Sequence, residues 1–272
     1  MAPALGANDL LWRINDAQGQ HRGWLMGTIH SDDERILDLP APVLTALESS
    51  RTYVWELRDD SMDPNLMLVA MMLPAGGKLV DLIGERDMAR VRAALERHGY
   101  PTPVADHMKP AMAALLMSYP PPRNGLFLDL KLKQLAQERG LATTGLEAVA
   151  EQLGIFDDLT RQEAIQFLRA TLDELDEQPD WMERLHRAYL KRDLDALAGL
   201  ALANSGLAAH PELERKLFDR VLHRRNRVMA ERLEPLLRQG DVFVAVGALH
   251  LAGEGGLVDR LRDAGYRLSP VY

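Results

Sequence analysis

Short apolar segments with the length and composition of β-strands stand near both ends of the chain. One of them, residues 241–246 (DVFVAV), is an uninterrupted apolar run, which is typical of a strand buried on both faces of a parallel sheet. Turn residues 16–19 (DAQG) separate the first two segments and predict a hairpin. The predicted strands are residues 10–14, 23–26, 51–57, 141–146, 241–246 and 266–271.

Helical patterns fill the rest of the chain. Residues 62–74 and 118–124 are predicted to be loops. Strands and helices alternate at both ends around a helical section of about residues 60–238, which predicts an α/β fold with a mixed, largely parallel sheet and a large helical insert. No linker rich in Gly, Ser or Pro divides the chain, so residues 1–272 are predicted to be one domain. The predicted helices are residues 41–50, 88–98, 110–118, 126–139, 148–156, 161–173, 181–190, 194–202, 211–238 and 255–264.

Composition narrows the function classes. The net charge of -8 disfavours a nucleic-acid partner, and the absence of cysteine excludes thiol chemistry and Cys-ligated zinc. No apolar stretch is long enough to predict a transmembrane segment. No signal peptide is visible, so the expected compartment stays open: periplasmic or exported after removal of a signal, and otherwise cytoplasmic. The oligomeric state is equally open.

One local pattern, an apolar strand followed by Gly-x-x-His, occurs twice. It places His30 after residues 24–26 and His250 after residues 244–246. The glycine lets the backbone turn sharply or be approached closely. Each histidine then follows the carboxyl end of a strand, which is where ligands bind in open α/β sheets.

Two acidic residues end other predicted strands at the same edge. Glu56 lies within the apolar strand 51–57, and Glu147 directly follows strand 141–146. A carboxylate in an apolar strand is costly to bury unless it is paired or binds a metal ion. Two imidazoles with one or two carboxylates are a suitable ligand set for zinc, manganese, iron or cobalt. A bound ion would lower the pKa of its water, and a free glutamate could act as general base.

Further segments extend these motifs along nearly the whole chain. They are residues 11–13 (LWR), 25–31 (LMGTIHS), 54–57 (VWEL), 145–147 (GLE), Glu151 and Gln152, Phe156, Arg225 and Asn226, Met229, 243–251 (FVAVGALHL), 253–254 (GE), 256–257 (GL) and 265–266 (GY). In this order they resemble the TraB/GumN family, which includes the TIKI proteases. The resemblance implies a fold related to the erythromycin esterase and ChaN-like groups.

The resemblance also implies an active site with both Gly-x-x-His motifs and a glutamate. Members of the TIKI group are similar in these motifs and act as metal-dependent proteases with manganese or cobalt. Carried over by residue, this selects His30, Glu56 and His250 as catalytic residues and as ligands of a divalent transition metal (Mn, Co or Zn). The expected substrate is a peptide or another small acyl compound.

Glu147, Arg225 and Asn226 match further family positions and are candidates for substrate binding. If Arg225 faces the site, it could bind a substrate carboxylate or an oxyanion. From the residues alone, Glu147 could instead be a first-turn helix acid stabilised by the helix dipole. A solvated helix face is the alternative for Arg225 and Asn226.

Three functions remain open at this point. The first hypothesis is a metal-dependent hydrolase resembling the TIKI metalloproteases. The second is a metal-free hydrolase in which the same His and Glu residues act as general acid and base. The third is a non-catalytic protein that binds haem or a signalling peptide. A serine nucleophile is not indicated because the sequence has no G-x-S-x-G motif, and P-loop and G-x-G-x-x-G motifs are also missing.

Overall fold

All six strands of the computed structural model, which describes residues 9–59, 63–178, 180–203 and 206–272, form a single sheet. The strands are β1 (Leu11–Asn15), β2 (His21–Thr28), β3 (Thr52–Leu57), β4 (Ala142–Glu147), β5 (Val242–Gly247) and β6 (Arg267–Pro270). Their order across the sheet is β4-β3-β5-β2-β1-β6. The first four in this order are mutually parallel, and β1 runs antiparallel to both of its neighbours. The predicted mixed, largely parallel sheet is confirmed.

β5 lies in the middle of the parallel part, between β3 and β2. Its first five residues are all buried because helices cover both faces of the sheet there. The uninterrupted apolar run at residues 241–246 therefore reflects burial on both faces, as its pattern predicted. At the other end of the sheet, the predicted hairpin turn is closed by Asp16, whose Oδ1 accepts from the amides of Gln18 and Gln20 at 3.0 and 2.9 Å.

Helices connect the strands and form the insert. They are α1 (Glu34–Leu37), α2 (Ala41–Glu48), α3 (Pro64–Met71), α4 (Val80–Ile83), α5 (Glu85–Arg97), α6 (Thr102–Ala105), α7 (Pro110–Met117), α8 (Leu128–Glu138), α9 (Val149–Gly154), α10 (Arg161–Glu177), α11 (Trp181–Leu190), α12 (Leu194–Ala203), α13 (Pro211–Phe218), α14 (Arg225–Gln239) and α15 (Leu257–Asp263).

Two predictions of local structure were wrong. The loop predicted for residues 62–74 contains α3, which begins with Pro64 directly after Asp63, and Asp63 Oδ1 accepts from the amide of Asn65 at 2.8 Å. Residue 62 lies outside the described residues. The single long helix predicted for residues 211–238 is instead α13 and α14, joined by the π-helical turn Asp219–Arg224. Such turns are often found at functional sites, and this one brings Arg225 to the beginning of α14.

The buried apolar side chains form two clusters. The first packs the sheet against the helices that flank it, including α2, α8 and α14. The second lies within the insert, between α5, α7, α10 and α13. Side chains from the insert and from α14 also reach the carboxyl edge of the sheet, where Tyr119 contacts His30 and Arg225 contacts Glu56. The insert therefore supplies one wall of the region to which the parallel strands point.

Candidate active site at the carboxyl edge of the sheet

The carboxyl ends of the four parallel strands lie side by side at one edge of the sheet. His30 follows β2 and His250 follows β5, while Glu56 and Glu147 lie at the ends of β3 and β4. The structure thus places all four residues of the predicted constellation at this edge. Arg225, at the beginning of α14, reaches the same edge from above the strands.

The glycines of the two Gly-x-x-His motifs are explained by close packing. A Cβ atom at Gly247 would lie 3.3 Å from Glu56 Oε1, and the Gly247 amide donates to that oxygen at 2.7 Å. A Cβ atom at Gly27 would lie 3.0 Å from the Cα atom of Ala248. Neither glycine has a positive φ. The small residue is therefore required because another group approaches the strand end, and at Gly247 that group is the Glu56 carboxylate.

A partly buried ion-pair network surrounds Arg225. Its Nη2 donates to Glu56 Oε2 at 2.5 Å and to Glu147 Oε2 at 2.7 Å, and its Nε lies 3.1 Å from both Glu147 oxygens. Gln152 Nε2 donates to the same two carboxylates at 3.2 and 3.1 Å. Burial is the largest single cause and acts to raise the pKa of Glu56, but Arg225, His250 and the Gly247 amide together outweigh it and hold that pKa at about 2. Glu56 is therefore a permanent anion at neutral pH.

His250 is held by a single hydrogen bond that defines its tautomer. Its Nδ1 lies 2.6 Å from Asn226 Oδ1, while Asn226 Nδ2 donates to the Gly255 carbonyl at 3.1 Å and so fixes the orientation of the amide. Because Oδ1 only accepts, Nδ1 carries the proton and Nε2 has a free lone pair. Nε2 faces Glu56 Oε1 at 3.9 Å. Burial is the main cause that lowers the pKa of His250 to about 4, so the ring is neutral at pH 7.

His30 lies in a more open environment. Its side chain is 46% exposed, against 5% for His250. The ring stacks on Phe127 at 4.0 Å between centroids and contacts Tyr119 at 4.8 Å. Its Nδ1 lies 3.9 Å from Asp129 Oδ2. Desolvation at this edge lowers the pKa of His30, while the negative charges of Glu56 and Asp32 act to raise it.

Asp129, in the first turn of α8, shares its carboxylate between two groups. Oδ1 accepts from the Thr28 hydroxyl at 2.5 Å, while Oδ2 faces His30. Burial raises the pKa of Asp129 to about 7, and the hydrogen bond from Thr28 only partly opposes this. The carboxyl group therefore titrates near neutral pH, and the His30 Nδ1 atom lies 3.9 Å from it, beyond hydrogen-bond distance.

Next to this site, three side chains have the order of a Ser-His-Asp triad. Ser31 Oγ lies 3.0 Å from His186 Nε2, and His186 Nδ1 lies 3.5 Å from Asp33 Oδ2. All three residues are buried, and the Asp33 amide donates to the same serine hydroxyl at 3.2 Å. Both hydrogen-bond contacts of the serine hydroxyl lie within the cluster. The cluster instead anchors the segment that carries His30 to α11, in line with the expectation that serine is not the nucleophile.

Comparison with known proteins identifies the family. A sequence model described as TraB/PrgY/gumN family matches residues 10–270. The chain belongs to the TraB/PrgY/gumN family. Proteins similar to this chain include "Uncharacterized protein YbaP" of Shigella flexneri, which is 24% identical over 95% of this chain and 96% of YbaP. "Metalloprotease TIKI2" is 24% identical in Danio rerio and 26% identical in Xenopus tropicalis, over 96% of this chain in both cases. No solved structure matches the chain.

The predicted resemblance to the TraB family is thereby confirmed, and the distant relation to TIKI2 supports a hydrolase-like family. The chain spans only 60% and 59% of the length of the two TIKI2 proteins, so their activity as whole proteins does not transfer directly. Among the described residues, no helix has the length and apolar character needed to cross a membrane.

The predicted metal ligands of this TraB family member are not arranged as a three-ligand site. Within the described ranges, no group of three or more His, Cys, Asp or Glu side chains is placed to hold an ion. Two donors do face each other, since His250 Nε2 and Glu56 Oε1 are 3.9 Å apart. The other Glu56 oxygen is occupied by Arg225 and Gln152, and the guanidinium competes with an added cation for the carboxylate charge. These contacts do not fit a preformed metal centre.

The remaining sequence predictions for this TraB family site have mixed outcomes. Arg225 and Asn226 are not on a solvated helix face, because the Arg225 side chain is 13% exposed and Asn226 is buried. Both contact site residues, as does Glu147, although their role in substrate binding stays a prediction. Sequence reasoning missed Asp129. Its signal was only an acid in the first turn of a predicted helix, which the helix dipole explains equally well.

Proposed function

We propose that this protein is a hydrolase that cleaves an acyl bond at the carboxyl edge of its sheet, with His250 as the general base. The observation that carries the proposal is the hydrogen bond between His250 Nδ1 and Asn226 Oδ1, which leaves Nε2 of a buried, neutral imidazole free to accept a proton. The distant relation to proteins named metalloproteases supports the hydrolase class. The substrate proposed is a peptide or another acyl compound.

In the first step, a water molecule attacks the substrate carbonyl carbon and transfers a proton to His250 Nε2. The imidazolium formed in this way is stabilised by the anionic Glu56, whose Oε1 lies 3.9 Å away. Asn226 keeps the ring in the orientation that the transfer requires. Glu56 itself is a weak base because its pKa is held at about 2, so its contribution is electrostatic.

In the second step, the tetrahedral intermediate collapses and the bond to the leaving group breaks. The leaving group takes a proton from the pair formed by His30 and Asp129. This pair suits the acid role because the pKa of Asp129 is raised to about 7 while that of His250 is lowered to about 4. The products are a carboxylic acid and an amine or alcohol, and the proton on His250 returns to the acid pair through solvent.

A second candidate is a metal-dependent hydrolase in which His30, Glu56 and His250 bind Mn, Co or Zn. It is favoured by the two facing donors, His250 Nε2 and Glu56 Oε1, and by the similarity to the TIKI2 proteins, which are named metalloproteases. Because the third ligand is not in place, ion binding would require His30 to move toward the other two.

The test is hydrolysis of a panel of peptide and acyl-ester substrates by wild type and by His250→Gln, His30→Gln and His107→Gln. His107 is an exposed histidine of the insert and is the matched control. Loss of general base catalysis at His250 is expected to lower kcat by ~10²–10⁴-fold. The His107 variant should retain wild-type rates.

The same assay with a strong chelator separates the two candidates. Unchanged rates favour the metal-free mechanism. Rates that fall and return with added Mn, Co or Zn, together with about one bound ion by elemental analysis, favour the metal-dependent one. No turnover by folded wild type with or without these metals would contradict both, and a His30- or His250-dependent Soret band on adding haem would then favour a binding protein.

A further inference from the structure

The two aromatic rings that contact His30 come from one connecting segment. Tyr119 and Phe127 stand at the two ends of the clamp, residues 119–127, which lies between α7 and α8. The His30 ring stacks on Phe127 at 4.0 Å between centroids, with the ring planes 22° apart, and contacts Tyr119 at 4.8 Å. The carboxylate of Asp129 is beyond hydrogen-bond distance, so these ring contacts set the orientation of the imidazole.

The middle of the clamp is bound by Asp32. Its Oδ2 accepts from the backbone amides of Arg123, Asn124 and Gly125 at 2.6, 2.7 and 3.0 Å. Successive amides that converge on one anion form a nest, and Gly125 has the positive φ (78°) that such a turn requires. The Asp32 carboxylate is buried, although the three residues that donate to it are exposed. One charged side chain therefore fastens an exposed segment to the edge of the sheet.

The segment that carries Asp32 is also held on α11. Ser31 Oγ and Asp33 Oδ2 lie 3.0 and 3.5 Å from the two ring nitrogens of His186. Asp32, between them in the chain, binds the clamp instead. The Ser31 carbonyl also accepts from the amide of Leu128, directly after the clamp, at 3.1 Å. The three residues that follow the histidine of the first Gly-x-x-His motif thus connect α11 to the clamp.

We propose that Asp32 is a positioning residue for His30, because its hydrogen bonds to the clamp hold the two aromatic rings against the imidazole. The His30 side chain is 46% exposed, so without the clamp it is free to occupy other rotamers. That this orientation serves catalysis rests on the proposed function, in which His30 belongs to the pair that gives a proton to the leaving group. The contacts themselves do not depend on that function.

NMR of the histidine ring protons tests the positioning, because protons stacked on an aromatic ring resonate upfield. The His30 signals are assigned by their loss in His30→Gln. In Asp32→Ala these signals should move downfield, since the rings no longer stay against the imidazole. Asp32→Asn keeps an acceptor oxygen for the three amides and should retain most of the wild-type shift.

A second variant breaks the nest from the clamp side and leaves Asp32 in place. Gly125→Ala strains the turn, because a φ of 78° is unfavourable for a residue with a Cβ atom. It should move the His30 signals in the same direction even if Asp32→Ala does not fold. The matched control is Gly76→Ala, since Gly76 also has a positive φ (82°) and free space for a Cβ atom but lies outside the clamp. The control should keep the wild-type signals.

Hydrolysis rates give the functional measurement. Asp32→Ala and Gly125→Ala should lower kcat by ~10–10²-fold with KM nearly unchanged, because a displaced acid group slows the chemical step without weakening substrate binding. Asp32→Asn should recover most of this loss. Gly76→Ala should keep the wild-type kcat.

Unchanged His30 signals in folded Asp32→Ala and Gly125→Ala would overturn the inference. So would moved signals together with a wild-type kcat in both variants. If wild type cleaves no acyl substrate, the proposed function fails alone, and the His30 signals still decide whether Asp32 positions the ring.

Discussion

The two halves of the candidate site are built in opposite ways. In the buried half, every carboxylate has a cationic or amide partner; its residues are Glu56, Glu147, Arg225, Asn226 and His250. The open half consists of His30 and Asp129, whose closest ionic approach is 3.9 Å and whose imidazole is nearly half exposed. Hydrogen bonds join the members of the first half, whereas the two members of the second half are too far apart for a hydrogen bond.

The same comparison explains why two carboxylates at one edge titrate so differently. Burial acts to raise the pKa of both Glu56 and Asp129, but only Glu56 is in contact with a guanidinium group, which lowers its pKa. The pKa of Glu56 falls to about 2 while that of Asp129 rises to about 7. The group that contacts a buried carboxylate therefore decides whether it takes an electrostatic or an acid role, and the degree of burial does not.

Removal of the cation from the buried half should have the largest effect on stability. Arg225→Met leaves Glu56 and Glu147 as uncompensated buried charges, and we expect the free energy of unfolding to fall by about 3–5 kcal/mol. Urea unfolding at pH 7 measures this change. The matched control is Arg224→Met, because Arg224 is the exposed preceding residue, and its effect should stay within about 0.5 kcal/mol. Equal effects would show that the network does not stabilise the edge.

Asn226→Ala should have the next largest effect, because it leaves His250 Nδ1 without its acceptor. The expected loss is about 1–3 kcal/mol of unfolding free energy. Nitrogen-15 NMR of the imidazoles gives a more specific measurement. Wild type should show His250 protonated at Nδ1 near pH 7, and the variant should show a mixture of tautomers. An unchanged spectrum would mean that Asn226 does not select the tautomer.

Asp129→Asn should stabilise the protein at neutral and alkaline pH but not at acid pH. The folded pKa of Asp129, about 7, lies above the ordinary value of 3.8, so the folded state binds more protons between these values and stability is lost as pH rises through them. The variant removes that loss and should be more stable than wild type by about 1–2 kcal/mol at pH 8. The difference should disappear near pH 4.

The buried half has the opposite sign of pH dependence, which provides the internal control. Glu56 has a folded pKa of about 2 against 4.5, so its stabilisation is complete above pH 4.5 and is lost as pH falls toward 2. The pKa of His250 is lowered from 6.5 to about 4 in the folded state, so the protein also loses stability as the pH falls between these two values. In urea unfolding, Asp129→Asn should leave the loss of stability below about pH 4 unchanged, and a change there would contradict the independence of the two halves.

His30→Ala should have the smallest effect on stability. Its ring is exposed on one side and loses mainly the stacking on Phe127, so about 0.5–1 kcal/mol is expected. The measurement is again urea unfolding at pH 7. A loss as large as that of Asn226→Ala would show that His30 belongs structurally to the buried half. In that case the contrast between the buried half and the open half would be wrong.

Much of the fold and half of the site could be predicted from local sequence. The apolar run at residues 241–246 identified the central strand, and the two Gly-x-x-His motifs marked two of the strand ends that carry the site. The helix α3 was missed because residues 62–74 contain an aspartate and two prolines, which hide a short apolar helix. The π-helical turn at Asp219–Arg224 has no sequence pattern of its own, so the sequence predicts one continuous helix there.

The sequence by itself determined the alternation of strands and helices and which residues follow the strand ends, because both depend on local periodicity. Only the tertiary structure decided that Arg225 lies between Glu56 and Glu147, that Asn226 fixes His250, and that Asp129 faces His30. These contacts join residues 24 to 169 positions apart. Their pKa shifts follow from burial and charge in three dimensions, which no local pattern encodes.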